Sequence, residues 1–291
     1  MSASGAPGLS IETVKQRNKI ALVALPGGGV TREYFDLGKA NGFNHSFAQR
    51  MTGFGFHLIT LDHPGTGSNG LDSNHSFLKP RDSARYIHDA LVKFRADPDI
   101  KDLTFVGVGH SMGGMTTTLI QGAFQPFAAI CLFGSSAGGL DWGLSDHEKE
   151  YIDQTDKIDA DIEKLTLAKF GMAFTPPSPG PSATSEIFAG ATPEATALLS
   201  NVGAALYCAG GMMSMIRGSF RREVEAIKVP IFFAFGDRDI GIAPLTVPAD
   251  YVNASDIRLV VLPETGHNSF AFPSLASATE KLAHWLDGVT G

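Results

Sequence analysis

With 291 residues, 43% of them hydrophobic and 18% charged, the chain can bury a sizeable core, which excludes global disorder. Its net charge of −7 and lack of any basic run exclude the electrostatic footprint of a nucleic-acid or anionic-membrane partner. No stretch is long and apolar enough to span a bilayer, and Met1 to Ser10 lacks the basic and apolar regions of a signal peptide, so a soluble, cytoplasmic protein is expected.

Residues 1–18 read as an N-terminal arm, with a weak alternation from Leu9 to Lys15 that predicts an edge strand. Lys19 to Leu25 is a buried strand by composition and length, and Pro26-Gly27-Gly28-Gly29-Val30 follows at once. Three consecutive glycines leave backbone N–H groups unshielded, so the loop can hold an anion. A phosphate loop would end in Gly-Lys-Ser/Thr, and here Val30-Thr31 follows, which favours an oxyanion or a plain turn. A polar, aromatic connection leads to a helical segment near Asn44 to Met51. Phe56 to Asp62 is a second buried strand, running into the Gly/Pro-rich loop His63-Pro64-Gly65-Thr66-Gly67-Ser68. From Arg81 to Arg95, Ala84, Ile87, Leu91 and Phe94 recur at helical spacing.

Leu103 to Val108 is a third apolar run, ending in Gly109-x-Ser111-x-Gly113 and then a helical composition from Met115 to Phe124. Strand, Gly-x-Ser-x-Gly and helix in that order is what a nucleophile elbow requires: the serine sits on a tight turn, and the glycines let strand and helix approach. Phe127 to Phe133 is a further buried strand. The strands are apolar on both faces and alternate with helices, the pattern of a mainly parallel sheet covered on both sides.

The alternation stops at Gly134. Residues 140–220 contain no convincing strand: Asp146 to Phe170 reads as one amphipathic helix or a pair, Thr175 to Pro181 as a linker, and Pro193 to Gly203 and Ala204 to Ile216 as helices. The last carries Met212, Met213 and Met215 on a stripe that is more often core than pocket, yet Met-rich faces adapt to apolar ligands. These three and His110, beside the serine, are the candidate substrate contacts. Strands resume at Val229 to Phe235, ending at Gly236-Asp237-Arg238-Asp239, and at Ile257 to Leu262, leading to Pro263-Glu264-Thr265-Gly266-His267. Pro273 to Val289 closes the chain as a helix. Cys131 and Cys208 lie in apolar surroundings and read as buried thiols, not as a disulfide or a metal site.

Ser111, Asp239 and His267 each fall just beyond a predicted strand, at the sheet edge where open α/β sheets bind ligands. A serine hydroxyl needs a base, which His267 supplies near neutral pH, and a carboxylate behind the imidazole fixes its tautomer. Asp239 is preferred because Asp237 lies too close to its strand end to turn back; Asp141 is the outside candidate. The developing oxyanion needs two N–H donors: Met112, by its position after Ser111, and Gly28 or Gly29.

The chain resembles the α/β-hydrolase fold superfamily from about residue 19 to 288. The resemblance rests on Pro26-Gly27-Gly28-Gly29, on Asp62-His63-Pro64-Gly65-Thr66-Gly67-Ser68, on Gly109-His110-Ser111-Met112-Gly113-Gly114, on Gly236-Asp237-Arg238-Asp239 and on Gly266-His267. It implies an α/β fold with a mostly parallel eight-stranded sheet flanked by helices, and a triad of Ser111, Asp239 and His267. It matches 140–220 to the family's helical lid, a cap inserted after strand 6, with 19–139 and 221–291 as the core. Many members carry His-Gly where Pro26-Gly27 stands here, which loosens the assignment of the oxyanion donor to one glycine. The expected activity is a cofactor-free cleavage of a carboxylic ester of a small to medium apolar substrate through an acyl-enzyme on Ser111. Lactones, thioesters and C–C bonds are open to the same triad, and a hydrolase-like small-molecule receptor is the alternative of another class.

Overall fold

The computed structural model describes residues 9–12, 19–70, 77–140, 143–177, 190–241 and 243–289. Nine strands and nine α-helices are defined among them. Six strands run parallel: β2 (Ile20–Leu25), β5 (His57–Leu61), β6 (Thr104–His110), β7 (Ala129–Phe133), β8 (Ile231–Gly236) and β9 (Ile257–Leu262). The edge strand β1 (Leu9–Glu12) pairs antiparallel with β5, and the sheet order is β1-β5-β2-β6-β7-β8-β9. The sheet therefore has seven strands among the described residues, where eight were expected. The helical insertion follows its fifth strand in chain order, β7, instead of a sixth.

The apolar runs become these strands because both faces are covered. On β2, Ala21, Val23 and Leu25 face one helical layer and Ile20, Leu22 and Ala24 the other. The first layer is α2 (Pro80–Phe94), α3 (Met112–Phe124) and α8 (Arg221–Ala226); the second is α1 (Phe47–Gly53) and α9 (Leu275–Val289). In α2 the periodic Ala84, Ile87, Leu91 and Phe94 are all buried. Pro80 stands at the start of that helix, where its missing N–H costs nothing.

The connection after the glycine loop differs from the sequence reading. The polar connection after the glycine loop holds a hairpin, β3 (Asp36–Ala40) paired with β4 (Phe43–Ser46), separate from the main sheet. Its turn is Asn41-Gly42, both at positive φ (50° and 78°), the conformation a two-residue hairpin turn demands.

Between β7 and β8 lie α4 (Asp146–Lys149), α5 (Thr155–Phe170), α6 (Pro193–Asn201) and α7 (Cys208–Met215). Ser145 and Glu148 form a capping box at α4: Ser145 Oγ accepts from the Glu148 amide and Glu148 accepts from the Ser145 amide. Gly171, at φ 72°, stops α5. Ala204 to Leu206, expected in a helix, lie outside one, because their amides are bound elsewhere: Ala204 N–H donates to Gly29 O and Leu206 N–H to the Thr175 side chain at Oγ1, at 2.8 and 2.9 Å. Much of the expected 175–181 linker lies outside the described residues. No helix among the described residues is long and apolar enough to cross a membrane.

Candidate active site

Ser111 follows β6 and caps α3 at φ 53° and ψ −122°, a backbone conformation that costs a non-glycine residue on the order of 1–3 kcal/mol. Two glycines make the turn possible. A Cβ on Gly113 would sit 2.1 Å from Leu25 O, and one on Gly109 2.5 Å from the backbone of Gly114. The neighbouring strand fixes the turn from below, since Ser111 N–H donates to Phe133 O at 2.9 Å. Main-chain geometry thus lifts the hydroxyl clear of the sheet.

His267 and Asp239 reach it from the ends of β9 and β8. His267 Nδ1 lies 2.7 Å from Asp239 Oδ1, and its Nε2 lies 2.8 Å from Ser111 Oγ. An ionised carboxylate only accepts, so Nδ1 carries the proton; in the neutral ring Nε2 then accepts from the serine hydroxyl. Both side chains of the pair are nearly enclosed, at 7% and 4% exposure, so solvent does little to screen them. Burial works to raise the Asp239 carboxyl, but the His267 imidazole outweighs it through charge and hydrogen bond, and the carboxyl lies below its usual range.

The neighbouring acid, Asp237, has a different partner. Its Oδ1 accepts from Thr265 N–H at 3.1 Å, bracing the loop that carries His267. Hydrogen bonds from the Glu264 and Thr265 amides hold its carboxyl below the usual range. Arg238 faces Glu264, 3.7 Å away. Asp141 lies outside the described residues.

The glycine loop runs beside the serine. A Cβ on Gly27 would lie 3.4 Å from Ser111 Cβ, and one on Gly28 3.9 Å from Met112 Cβ. Gly29 is turned away, with open space about its Cα and its carbonyl taken by Ala204 N–H. Met112 opens α3, so its N–H has no intrahelical acceptor. The loop is clamped at both ends by the residues after β5. His63 Nε2 donates to Pro26 O at 2.8 Å, and Asp62 Oδ1 accepts from Arg32 N–H at 2.7 Å. Asp62 Oδ2 in turn accepts from the amide and the hydroxyl of Ser68. His63 is 1% exposed, and burial depresses its pKa.

The motif Asp62 to Ser68, which carries part of the family resemblance, thus holds the glycine loop; the signal for it in the sequence is a histidine and an acid directly after one strand and a glycine loop after another.

The sequence model of the "Alpha/beta hydrolase family" matches residues 22–284. The chain belongs to the alpha/beta hydrolase family. That membership supports a hydrolase. No curated protein matches. Solved structures with the same fold include a monoacylglycerol lipase from Paleococcus ferrophilus, 15% identical, with a TM-score of 0.66 and 98% of this chain and 100% of that one covered. MenH from S. aureus is 14% identical, with a TM-score of 0.63 over 98% and 99%. An esterase from Thermogutta terrifontis is 15% identical, with a TM-score of 0.60 over 97% and 93%. At these identities the likeness is one of fold.

Within this alpha/beta hydrolase the candidate substrate contacts are redistributed. The cleft at Ser111 and His267 is lined by Gly134, Ser135, Ser136, Gly139, Leu140, Ser214, Phe235 and Gly241. None of His110, Met212, Met213 and Met215 is among these residues. Met212 and Met213 are fully buried core, and Met213 lines a separate cavity beside Arg81 and Asp159. The Met215 methyl packs against Gly143. The physical reason is the register of α7, which turns Ser214 to the cleft and Met212 and Met213 inward and leaves Met215 half-buried. His110 is also buried: its Nε2 donates to His267 O at 2.9 Å and its ring lies 4.7 Å from that of Tyr34. Burial, with the charge of His267, pushes its pKa down to about 3, so it is a neutral support under the His267 loop.

Proposed function

We propose that this chain is a cofactor-free serine hydrolase that cleaves a carboxylic ester of a small to medium substrate with an apolar acyl group, through an acyl-enzyme on Ser111. The observation that carries the reading is the continuous chain of hydrogen bonds from Ser111 through His267 to Asp239, at 2.8 and 2.7 Å. Ser111 Oγ attacks the carbonyl carbon as its proton passes to His267 Nε2, and Asp239 stabilises the imidazolium that forms. Charge gathers on the carbonyl oxygen, where the amides of Met112 and Gly28 are the proposed donors; one such donor is worth on the order of 3 kcal/mol. Collapse breaks the bond to the leaving oxygen, which takes the proton from His267. Water, activated by the same imidazole, then releases the acid and regenerates Ser111.

Residues 140–220 act in this reading as a cap over a core of 19–139 and 221–291. Two backbone hydrogen bonds of 2.8 Å support it, joining Thr31 N–H to Val202 O and Ala204 N–H to Gly29 O, because they tie the insertion to the glycine loop. Tyr207 adds a further tie, donating to Leu78 O at 2.7 Å.

The test is labelling by a fluorophosphonate probe, which reacts only with an activated serine. The wild type should label, and Ser111→Ala and His267→Ala should not. Equal labelling of Ser111→Ala would remove the nucleophile from the account.

A further inference from the structure

Two imidazoles other than the base hold the turn that carries it. After His267 the chain makes a single 3₁₀ turn, Ser269–Ala271, in which Ser269 N–H donates to His267 O at 2.8 Å. So short a turn does not hold its own shape, and the position of His267 depends on what grips it. At its start, His110 Nε2 donates to His267 O at 2.9 Å. Further along, His45 Nδ1 lies 3.2 Å from Phe270 O. His45 is 3% exposed. Burial outweighs the pull of the Phe270 and Ala40 carbonyls and lowers its pKa, so the ring is neutral and has one N–H to give. A carbonyl only accepts, so the bond to Phe270 requires that proton on Nδ1.

His45 comes from β4 of the hairpin, which pairs with no strand of the main sheet among the described residues. The local sequence makes this strand end rigid. Ser46 Oγ accepts from Gln49 N–H at 2.9 Å and so caps α1, and Ser46 N–H donates to Asn44 Oδ1 at 3.1 Å. Arg50 Nε and Nη2 both donate to Asn44 O, at 3.1 and 2.9 Å. Two residues after His45, Phe47 stacks on the Phe270 ring, with centroids 5.1 Å apart and planes 4° from parallel. Tyr34 stacks on the same ring at 5.0 Å and 13°. One stretch, His45 to Phe47, thus holds Phe270 by its carbonyl and by its ring. The turn of the hairpin is tied down as well, since Asn41 Nδ2 donates to Glu194 Oε2 at 2.7 Å. His45 is where this rigidity reaches the backbone of the base turn. Phe270 is three residues from His267, whose Nε2 has to stay within hydrogen-bond reach of Ser111 Oγ, 2.8 Å away.

Resting on the serine-hydrolase reading, we propose that His45 is a positioning residue for the base: by holding the Phe270 carbonyl it keeps His267 Nε2 on the Ser111 hydroxyl. The hairpin thereby takes part in catalysis from outside the triad.

The experiment measures turnover of a short-chain aryl ester and the rate of fluorophosphonate labelling on the full chain, for wild type, His45→Ala, His45→Asn and His45→Gln. Labelling carried to completion counts intact sites, and its rate reports the base. His45→Ala should lower kcat per intact site and the labelling rate together, each by about tenfold, with KM within about threefold, because a displacement of about 1 Å costs up to about 100-fold. The amide nitrogen of asparagine falls where Nδ1 stood and that of glutamine does not, so His45→Asn should recover to within about threefold of wild type and His45→Gln should stay about tenfold below. That pair carries the test if His45→Ala fails to fold. Ile87→Ala, a core truncation in α2, is the control for lost stability alone, and its kcat per intact site should be unchanged. Nitrogen NMR of the histidine-labelled wild type should show His45 as the Nδ1–H tautomer. Unchanged kcat and labelling rate in His45→Ala, equal rates in the asparagine and glutamine variants, an equal loss in Ile87→Ala, or the Nε2–H tautomer in the wild type would each overturn the proposal and leave the serine hydrolase standing. A wild type that neither labels nor turns over the ester removes the hydrolase reading, and the proposal with it.

Discussion

Replacing His63 by alanine removes the clamp on the glycine loop without touching the triad. In the native chain His63 Nε2 donates to Pro26 O over 2.8 Å, and Pro26 is itself buried. Deletion strands that carbonyl, at about 1–3 kcal/mol, and leaves a void where the ring stood, for a total loss of stability of about 2–4 kcal/mol. The catalytic effect is separate. Pro26 is two residues before Gly28, so a loop released at this end displaces the proposed oxyanion donor by a fraction of an ångström to about 1 Å, and such a displacement costs about 10- to 100-fold in rate. The donor acts in the transition state more than in the bound substrate, so kcat should fall by that factor while KM stays within about threefold. Steady-state kinetics on a short-chain aryl ester, with the concentration of intact sites titrated by a fluorophosphonate, separates lost activity from lost protein. His63→Gln, whose amide nitrogen can stand in for Nε2, should restore most of kcat. Unchanged kcat per intact site in His63→Ala would refute the reasoning, and so would a defect confined to KM.

Two further outcomes follow from the site. Asp239→Asn keeps the shape of the triad but presents an amide to His267 Nδ1, so the imidazole loses its enforced tautomer; kcat should fall by about 10⁴-fold with the fold intact by circular dichroism. Stability should also fall on acidification. Burial depresses the pKa of His110 from 6.5 to about 3, and burial lowers those of His63, His45 and His57 as well. The unfolded chain therefore binds protons that the folded chain refuses. Stability from His110 is complete above the unfolded value of 6.5 and drains away as pH falls toward about 3, at about 1.4 kcal/mol per pH unit. Urea titrations at about pH 7.5 and about pH 5 measure the slope, and His110→Gln should flatten it.

The parts legible in the sequence are those fixed by a local rule. The strands β2, β6, β7 and β8 are buried on both faces, so each is a nearly unbroken apolar run that needs no partner to be seen. Ser111, Asp239 and His267 could be read because each sits within a few residues of such a run, and the sheet brings the ends of those strands together. The β3–β4 hairpin was hidden because Asp36 to Ser46 is polar and short, although Asn41-Gly42 marked its turn. The methionines misled for a different reason. Helical spacing places Met212 and Met213 on a stripe but is silent on whether that stripe faces a cleft or the core, and packing against α3 and α5 decided for the core. Ser135 carries no signal in the sequence, because its place beside the cleft depends on what it faces once β7 lies next to β6.

The central claim is that Ser111 becomes acylated. Intact-mass measurement after rapid acid quench of the enzyme with a p-nitrophenyl ester tests it most directly. The account predicts a mass increase equal to the acyl group, mapped by peptide sequencing to Ser111, and its absence in Ser111→Ala. Steady turnover that persists in Ser111→Ala, or an adduct mapped to any other residue, would contradict it.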